Sequence, residues 1–464
     1  MGRIASIASG RGVLGALAAL VGLSIGPAPA LAGWSAPRAV GSSAGGFVDV
    51  ALATDARGDT AVAWASERSV GPVQTRAAVA VAFSGAGGRA VTRTLWRSSD
   101  ALVGGVAVAL DARGELTVAW IAAARGRNGA TLVPHTIRAA YRSPSGRWSP
   151  VQMIGYGGPF LGAELRLAAA PDREVLLTWV AHTKNAPGVA GAWRKPGHRF
   201  GPEGAVSRAR SAMMGDPKPL FDSSGAAHVY GTVSCGRVIR TCATMVGTAP
   251  HSHRFGAPLL IAPAPAELPV VSFSAPGRAL IAWEAGDYEA LEPSFAAPYA
   301  RVMTGGSLSA PMALQLGSVY TMSAVNAVAA NEGGGTVSWS AMPPPYPSSA
   351  RTMLAIGDAS GHFSPPSVSP SGLMSELRDG VGDMLLTLAR LVTYAPPEGT
   401  PTGPAETPPS PVAIQPAGGG PAQPSPTPMP LASLVGVATT QPLGAGAAVA
   451  WVAGATLATS TWRP

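Results

Sequence analysis

The sequence predicts an all-β fold built from repeats, and three observations support this prediction. A short apolar strand that ends in an aromatic residue recurs along the chain, a tight turn precedes it, and no segment has the 3.6-residue periodicity of a long helix. The anchor positions lie on average about 55 residues apart, a spacing typical of solenoids, arrays or propellers. The anchors are Trp64, Trp120, Trp179, Tyr230, Trp283, Trp339, Leu388 and Trp451.

Each repeat divides into two halves with different turn signals. The first half contains two strands joined by an Asp-x-x-Gly turn, as at 55–58, 111–114 and 222–225. Asp accepts hydrogen bonds from backbone N–H groups two residues on, and Gly adopts the positive φ that ends the turn. The second half contains two more strands around a Gly turn, the last with an aromatic residue and Pro, as in 137–151.

Four strands per repeat in an all-β chain are typical of propeller blades. The eight anchors therefore predict a β-propeller of eight four-stranded blades. Seven blades are the alternative, if the degenerate seventh repeat around Leu388 is only a linker.

The two ends of the chain predict how such a ring closes. After Trp451, residues 455–464 supply a third strand but no fourth. Residues 34–40 have the outer-strand pattern of 148–151, so we expect this N-terminal strand to pair with the last blade and close the ring. Residues 395–430 contain 13 prolines, which favour a long loop in the seventh blade, with a strand near 411–416.

Residues 1–32 have the pattern of a secretory signal peptide. Arg3 and Arg11 precede or flank a short apolar run at 13–25, and Ala30-Leu31-Ala32 fits a cleavage site. We expect cleavage after Ala32, a single domain over 33–464, and a secreted or cell-envelope location. An uncleaved anchor is the alternative, although 13 residues are short for a membrane span.

The charge of the chain is positive, but its pattern is diffuse. The formal net charge is +8, and the arginines are scattered singly rather than interleaved with aromatic residues. We therefore expect a solvated basic surface, no nucleic-acid partner, no membrane span in the mature chain, and a monomer. The two cysteines, Cys235 and Cys242, have six residues between them, which in an exported chain favours a disulfide across a hairpin loop.

The Asp-containing turns followed by an aromatic residue resemble those of the secreted sialidase-like β-propellers. The resemblance is architectural and covers nearly all of the chain after residue 32. That family's turn reads Ser-x-Asp-x-Gly-x-Thr-Trp, whereas here two residues separate Asp from Gly and Trp follows six residues after Gly. The resemblance implies a propeller fold and a glycan as one class of ligand. The catalytic residues of sialidases do not map onto this sequence.

A ligand is expected on the face where the second-to-third strand loops and the links between blades emerge, because those loops are irregular and the scaffold is rigid. Charged and aromatic residues in these loops suit a sugar or a peptide. The candidate ligand-binding residues are Arg125, Arg127, His182, Lys184, Asp287, Tyr288, Glu289 and Tyr346.

The sequence thus predicts an exported, non-catalytic binding or scaffold propeller for an extracellular carbohydrate or protein, without cofactor or metal. One alternative is a glycosidase of sialidase-like type, in which Asp287, Glu289 or Glu292 converges with arginines from other loops. The other alternative is a purely structural protein of the cell envelope.

Overall fold

The computed structural model describes the chain from Gly33 to Arg463, with gaps. The described residues are 33–34, 38–43, 46–55, 57–70, 75–85, 88–124, 135–157, 165–182, 187–207, 215–235, 240–285, 297–315, 320–329, 334–342, 351–368, 374–378, 384–388, 412–415, 423–424, 438–443, 446–453 and 456–463. Side chains are described within residues 39–367. All of these residues belong to one compact unit, Ala32–Pro464.

Every regular element in the described part is a β-strand, which confirms the predicted all-β class. We group the strands into eight units in chain order. The chain begins with β1 (Gly33–Trp34) and β2 (Arg38–Ser42). Unit 1 contains β3 (Phe47–Thr54), β4 (Thr60–Ser69), β5 (Thr75–Ser84) and β6 (Val91–Ser98). Unit 2 contains β7 (Ala101–Leu110), β8 (Leu116–Ala124), β9 (His135–Arg142) and β10 (Gln152–Gly157).

The next three units follow the same order. Unit 3 contains β11 (Arg166–Ala169), β12 (Val175–His182), β13 (Pro187–Arg194) and β14 (Gly204–Ala205). Unit 4 contains β15 (Gly215–Phe221), β16 (Ala227–Cys235), β17 (Arg240–Gly247) and β18 (Leu259–Ala262). Unit 5 contains β19 (Glu267–Ala275), β20 (Arg278–Ala285), β21 (Ala297–Thr304), β22 (Ser307–Leu308) and β23 (Met312–Ala313).

The last three units complete the chain. Unit 6 contains β24 (Tyr320–Ala329), β25 (Gly335–Met342), β26 (Arg351–Gly357) and β27 (Ser367–Val368). Unit 7 contains β28 (Met374–Arg378), β29 (Met384–Leu388), β30 (Val412–Gln415) and β31 (Gln423–Pro424). Unit 8 contains β32 (Ala438–Leu443), β33 (Gly446–Ala453) and β34 (Thr456–Arg463).

The strands of each unit pair antiparallel with their neighbours along the chain, except that β22 and β23 of unit 5 both pair with β21. Units 2 and 3 merge into one eight-stranded sheet through a single residue pair, Gly157 with Ala181. The N-terminal strands complete the sheet of unit 8, because β1 and β2 both pair antiparallel with β34. The segment predicted at 411–416 is the strand β30, which pairs with β29.

The first turns of units 1 and 2 have the predicted geometry. In unit 1, Asp55 Oδ1 accepts hydrogen bonds from the N–H groups of Arg57 and Asp59, at 3.0 and 2.9 Å, and Gly58 has a φ of 87°. Asp111 makes the equivalent bonds in unit 2, at 2.8 and 2.9 Å. These aspartates therefore hold the turns, as the sequence predicts.

Unit 3 departs from this pattern in a way that links it to unit 2. Arg173 occupies the Gly position of its turn with a φ of 77°, a conformation that costs energy for a residue with a Cβ atom. Its guanidinium donates to Asp111 Oδ2 of unit 2 at 2.8 Å. Next to it, the fully buried Arg194 of unit 3 forms an ion pair with Glu115 of unit 2 and donates to Thr117 Oγ1 at 2.7 Å.

The anchor residues fill the core between consecutive units. Trp120, Trp179, Trp283 and Trp339 are at most 1% exposed, and Tyr230 takes the equivalent place in unit 4. The buried clusters each combine strands of two neighbouring units, from units 1 and 2 to units 5 and 6. Since both faces of the second strands are covered in this way, they are apolar along most of their length rather than alternating.

The described residues include no helix with the length and apolar character required to cross a membrane.

Candidate functional site

A cleft of about 590 Å³ opens at the end of unit 1 where its strands lead into connecting loops. Its walls come from the end of β2, the end of β4, the start of β5 and the end of β6. This is the end of a unit from which the second-to-third strand loop and the links between units leave. The sequence predicted ligand-binding residues at this end, although in loops of other units.

Two arginines face each other across this cleft. Arg68 on β4 and Arg76 on β5 are direct partners in the antiparallel register, so their side chains leave the sheet on the same face. Both side chains are exposed. Like charges directly opposite each other destabilise a strand pair, which means that folding alone does not favour this arrangement.

A third arginine joins the pair from the neighbouring strand. Arg97 on β6 is the partner of Ala78, which is two residues from Arg76 and therefore on the same face of the sheet. In the part of the chain that the structure describes, Arg68, Arg76 and Arg97 form no ion pair. Three arginines without an ion pair among the described residues therefore concentrate positive charge in the cleft.

Hydroxyl groups line the cleft beside the arginines. They belong to Ser42, Ser43, Ser66, Ser98 and Ser99. An adjoining groove of about 540 Å³ shares Ser42, Ser66 and Arg97 and adds Thr92 and Thr94. The two concavities therefore form one elongated surface between β2 and the outer part of unit 1, with donors and acceptors along its length.

The single acidic residue among the described lining residues of the cleft has a structural bond. Glu67 Oε1 accepts a hydrogen bond from the N–H of Val103 at 2.6 Å, which joins unit 1 to the first strand of unit 2. Asp49 makes a similar link, since its Oδ2 accepts from the N–H of Val106 at 2.7 Å. Burial raises the pKa of Asp49 above its ordinary value, although the hydrogen bonds from the N–H groups of Val106 and Val50 and the charge of Arg166 oppose the rise.

The floor of the adjoining groove depends on a glycine. Gly41 of β2 lies against the indole of Trp64, and a Cβ atom at this position would stand 2.5 Å from the ring carbon Cζ2. Thr92 also holds this strand, because its Oγ1 donates to the carbonyl of Val40 at 2.8 Å. The N-terminal strand is thus held against unit 1 at the edge of the candidate site.

Most of the candidate residues predicted from the sequence lie outside the described residues. These are Arg125, Arg127, Lys184, Asp287, Tyr288, Glu289 and Tyr346. His182 is the last residue of β12 and pairs with Pro187, but its side chain is also outside the described part. Their role in ligand binding stays a prediction.

The two cysteines form the expected disulfide. Cys235 ends β16 and Cys242 lies in β17, with their Cα atoms 5.9 Å apart. The bond joins the two strands of a hairpin whose connecting residues, 236–239, lie outside the described part.

The arginines of the cleft were not predicted as a group, because in the sequence they are single residues spread over 30 positions. The sequence signal that could have identified two of them is their position on either side of one connection between strands. Arg68 and Arg76 flank one short connection, and a hairpin with its turn at that point places them opposite each other. The register that decides this was not fixed by the sequence.

No family model matches the sequence, and no curated protein matches it at a significant level. Among solved structures, the chain is similar to the β-propeller domain of the trilobed protease from Pyrococcus furiosus, with 11% identity and a TM-score of 0.40 over 73% of this chain and 91% of that chain. It is similar to the NanB sialidase from Streptococcus pneumoniae, with 9% identity and a TM-score of 0.39 over 75% of this chain and 66% of that chain. It is also similar to the alpha-L-arabinanase of Penicillium chrysogenum, with 15% identity and a TM-score of 0.38 over 61% of this chain and 88% of that chain. The resemblance to sialidase-like propellers is thus found by backbone comparison as well, and likeness at this level carries no conclusion about activity.

Proposed function

We propose that this chain is an exported β-propeller of eight blades that binds an anionic glycan in the arginine cleft and does not turn it over. The observation that carries the proposal is the direct cross-strand pairing of Arg68 with Arg76, with Arg97 on the same face. An arrangement that costs stability is explained when a ligand compensates for it.

The chemistry of the cleft favours an acidic sugar. The guanidinium group carries N–H donors in a planar fork that matches a carboxylate bidentately. The serine and threonine hydroxyls beside it suit the hydroxyl groups of a sugar ring, for which each side can donate or accept. A glycan with carboxylate groups satisfies both sets of groups at once.

The acidic residue of the cleft, Glu67, favours a binding role over hydrolysis. Glycoside hydrolysis commonly requires two carboxyl groups, roughly 5–10 Å apart, on either side of the scissile bond. Glu67 is the one acid among the described lining residues, and its carboxylate is bonded to the backbone of unit 2. The glycosidase alternative instead requires an acid at 287, 289 or 292, and these positions lie outside the described residues.

The proposed ring of eight blades and the export of the chain have separate support. Eight successive strand groups and the pairing of β2 with β34 support closure of a ring by the N-terminal strand. The disulfide between Cys235 and Cys242 supports an oxidising compartment, as does the signal-like segment 1–32.

The test is binding of trigalacturonate to the purified chain, measured by calorimetry, with neutral galactotriose as the reference sugar. We expect saturable binding of the acid sugar only. Arg76→Gln is expected to weaken it by about tenfold, since a charge-assisted hydrogen bond contributes about 1.5–3 kcal/mol. Arg254→Gln, a change at an exposed arginine of unit 4, is the matched control.

Equal binding of the neutral sugar, or equal affinity of the Arg76→Gln variant, would reject the cleft as an anion site. Chromatography of the sugar after prolonged incubation addresses catalysis. Shortened products would favour the glycosidase alternative over the proposed binding role.

A further inference from the structure

A second set of arginines lies beyond β6, in the groove between units 1 and 2. This groove of about 460 Å³ is lined by residues of both units, among them Arg93 and Phe83 of unit 1 and Arg142 and Trp148 of unit 2. Arg93 is the register partner of Val81, whereas Arg97 is the partner of Ala78. The two arginines of β6 therefore point to opposite faces of unit 1, one toward each concavity.

Aromatic rings contact the two cations of this groove, Arg93 and Arg142, and also the neighbouring Arg138, which lies outside the residues that line the groove. The guanidinium carbon of Arg142 lies 4.3 Å from the ring centre of Phe83, that of Arg138 lies 5.7 Å from Trp96, and that of Arg93 lies 5.8 Å from Trp148. A guanidinium that covers a ring face keeps its N–H donors in its own plane, where an anion can reach them. Each of these contacts joins unit 1 to unit 2.

These cations have no carboxylate partner within the described residues. None of Arg93, Arg138 and Arg142 forms an ion pair there. Burial lowers the pKa of Arg142 and the charge of Asp59 opposes this, but an arginine stays protonated at neutral pH. Within the described residues, the outer strand of unit 1 thus carries an arginine without an ion pair on each face, Arg97 on one and Arg93 on the other.

The edge between the two sets is open. The outer strand β6 is exposed at its first four residues, with Val91 70% exposed. The strand has eight residues, which at about 3.3 Å per residue spans about 26 Å. Such a length exceeds the reach of one sugar carboxylate and suits a chain of several sugars.

We propose, as an extension of the proposed function, that the ligand is a linear acidic polysaccharide that crosses the outer edge of unit 1, from the Arg68–Arg76–Arg97 cleft to the groove of Arg93 and Arg142 and the neighbouring Arg138. Carboxylates or sulfates spaced along such a polymer meet cations on both faces of the unit. The hydroxyls of Thr92 and Thr94, which line the concavity on the cleft side, bond to the sugars between them.

Single-stranded nucleic acid is the other polyanion to consider, and the aromatic residues disfavour it. Proteins that bind it without sequence preference stack bases on exposed aromatic faces. Here one face of Phe83, Trp96 and Trp148 is already covered by a guanidinium. The hydroxyl-rich wall favours a sugar polymer instead.

The experiment compares trigalacturonate with dodecagalacturonate on the full purified chain. We expect the dodecamer to bind about tenfold tighter or more, because additional charge-assisted bonds form on the second face. The double variant Arg93→Gln/Arg138→Gln is expected to remove this gain and leave the affinity for the trimer unchanged. Arg76→Gln is expected to weaken both ligands, and Arg254→Gln neither.

The dependence of the binding affinity on salt concentration gives a second measure of how many arginines contact the ligand. The slope of log affinity against log salt concentration is expected to fall by about one for each arginine removed. A sulfated oligosaccharide of equal length distinguishes sulfate from carboxylate as the anion, and preference for either one supports the inference.

Equal affinity for trimer and dodecamer, with Arg76→Gln still weakening both, would overturn the extended site while the proposed cleft stands. Absence of acid-sugar binding altogether would instead reject the proposed function. Tighter binding of oligothymidylate than of the dodecamer, lost in the Arg93→Gln/Arg138→Gln variant, would assign the surface to nucleic acid and overturn the inference as well.

Discussion

Arg68 and Arg76 are direct cross-strand partners on β4 and β5, and both are exposed. Two guanidinium groups in this position repel each other, by an amount comparable to the stabilisation that an opposite pair provides, about 0.2–1 kcal/mol. Solvent and salt reduce the repulsion at an open surface, but less so in a concave cleft. Removal of one of these arginines is therefore expected to affect the stability of the fold and the proposed ligand binding in different directions.

The first prediction uses this difference between the effect on stability and the effect on binding. Arg68→Ser removes one of the opposed charges, so we expect the free energy of unfolding to stay equal or to rise by up to about 0.5 kcal/mol. The same change is expected to weaken trigalacturonate binding by about tenfold, because one charge-assisted bond is lost. Urea denaturation and calorimetry on the same preparation measure the two effects.

A loss of stability comparable to the loss of affinity would show that Arg68 supports the fold rather than the ligand. Arg113→Gln, a change at another exposed arginine that lies in the turn of unit 2, is the control for both measurements.

The second prediction concerns the buried ion pair between units 2 and 3. Glu115→Gln leaves the guanidinium of Arg194, which is 0% exposed, without its charged partner. We expect a loss of about 3–5 kcal/mol in the free energy of unfolding, the range typical of a buried pair with one partner removed. Equilibrium urea denaturation measures it.

The double variant Glu115→Leu/Arg194→Met gives the decisive comparison. Replacement of both charges by apolar side chains of similar volume is expected to restore most of the stability, because no charge then stays buried without a partner. If the double variant were as unstable as Glu115→Gln, the packing rather than the charge would be the cause.

Local signals in the sequence predicted local structure. The turn at 55–58 and the burial of Trp120 follow from a few neighbouring residues, since Asp and Gly have specific turn geometries and a large aromatic ring must be covered. The pairing of residues 38–42 with β34 was also predictable, because the outer-strand pattern was missing at one end and present at the other.

Contacts between units were not predictable in the same way. Glu115 and Arg194 are 79 residues apart, and Arg93 reaches Trp148 across a boundary between units. Such contacts depend on how two sheets pack against each other. The apolar periodicity that predicts the strands contains no information on this packing. The opposition of Arg68 and Arg76 likewise depends on register, which one residue more or less in the connection would reverse.

The third prediction tests how the N-terminal strand packs on unit 1. Gly41→Ala places a methyl group against the indole of Trp64, which is 4% exposed and has no room to move outward. Overpacking of this kind typically costs about 1–3 kcal/mol. We expect this loss in thermal and urea denaturation, together with weaker ligand binding, because the strand forms one wall of the site.

Gly204→Ala in β14 is the matched control, since a Cβ atom there meets nothing within 4 Å and the backbone has no positive φ. Equal stability of the two variants would contradict the close approach of Gly41 to Trp64.

The fourth prediction concerns pH and rests on His228 of unit 4. Burial lowers the pKa of His228 below its ordinary value of 6.5, although its hydrogen bond with Asp222, at 3.3 Å, and the charge of that carboxylate oppose the change. The ring also stacks on Phe273 of unit 5, with the ring centres 4.3 Å apart. Protonation therefore affects a contact between two units.

The sign follows from linkage. As the pH falls below about 6.5, the unfolded chain takes up a proton at this residue before the folded chain does, so the contribution of neutral His228 to stability is lost. Asp222 acts in a lower window. Burial raises its pKa, but the hydrogen bonds from Ser224, His228 and Ala226 outweigh this, and the pKa lies below 3.8. Its contribution is thus present above 3.8 and is lost as the pH falls further.

We therefore expect the free energy of unfolding of the wild-type chain to decline between neutral pH and pH 5, measured by urea denaturation across that range. His228→Gln is expected to show a shallower decline, because the residue that titrates in this window is removed while a side chain able to donate to Asp222 is kept. His251→Gln, at an exposed histidine of the same unit, is the control that removes a histidine without removing a buried one. If His228→Gln declined as steeply as the wild type, His228 would not be the source of the pH dependence, and the inter-unit contact at Phe273 would be insensitive to protonation.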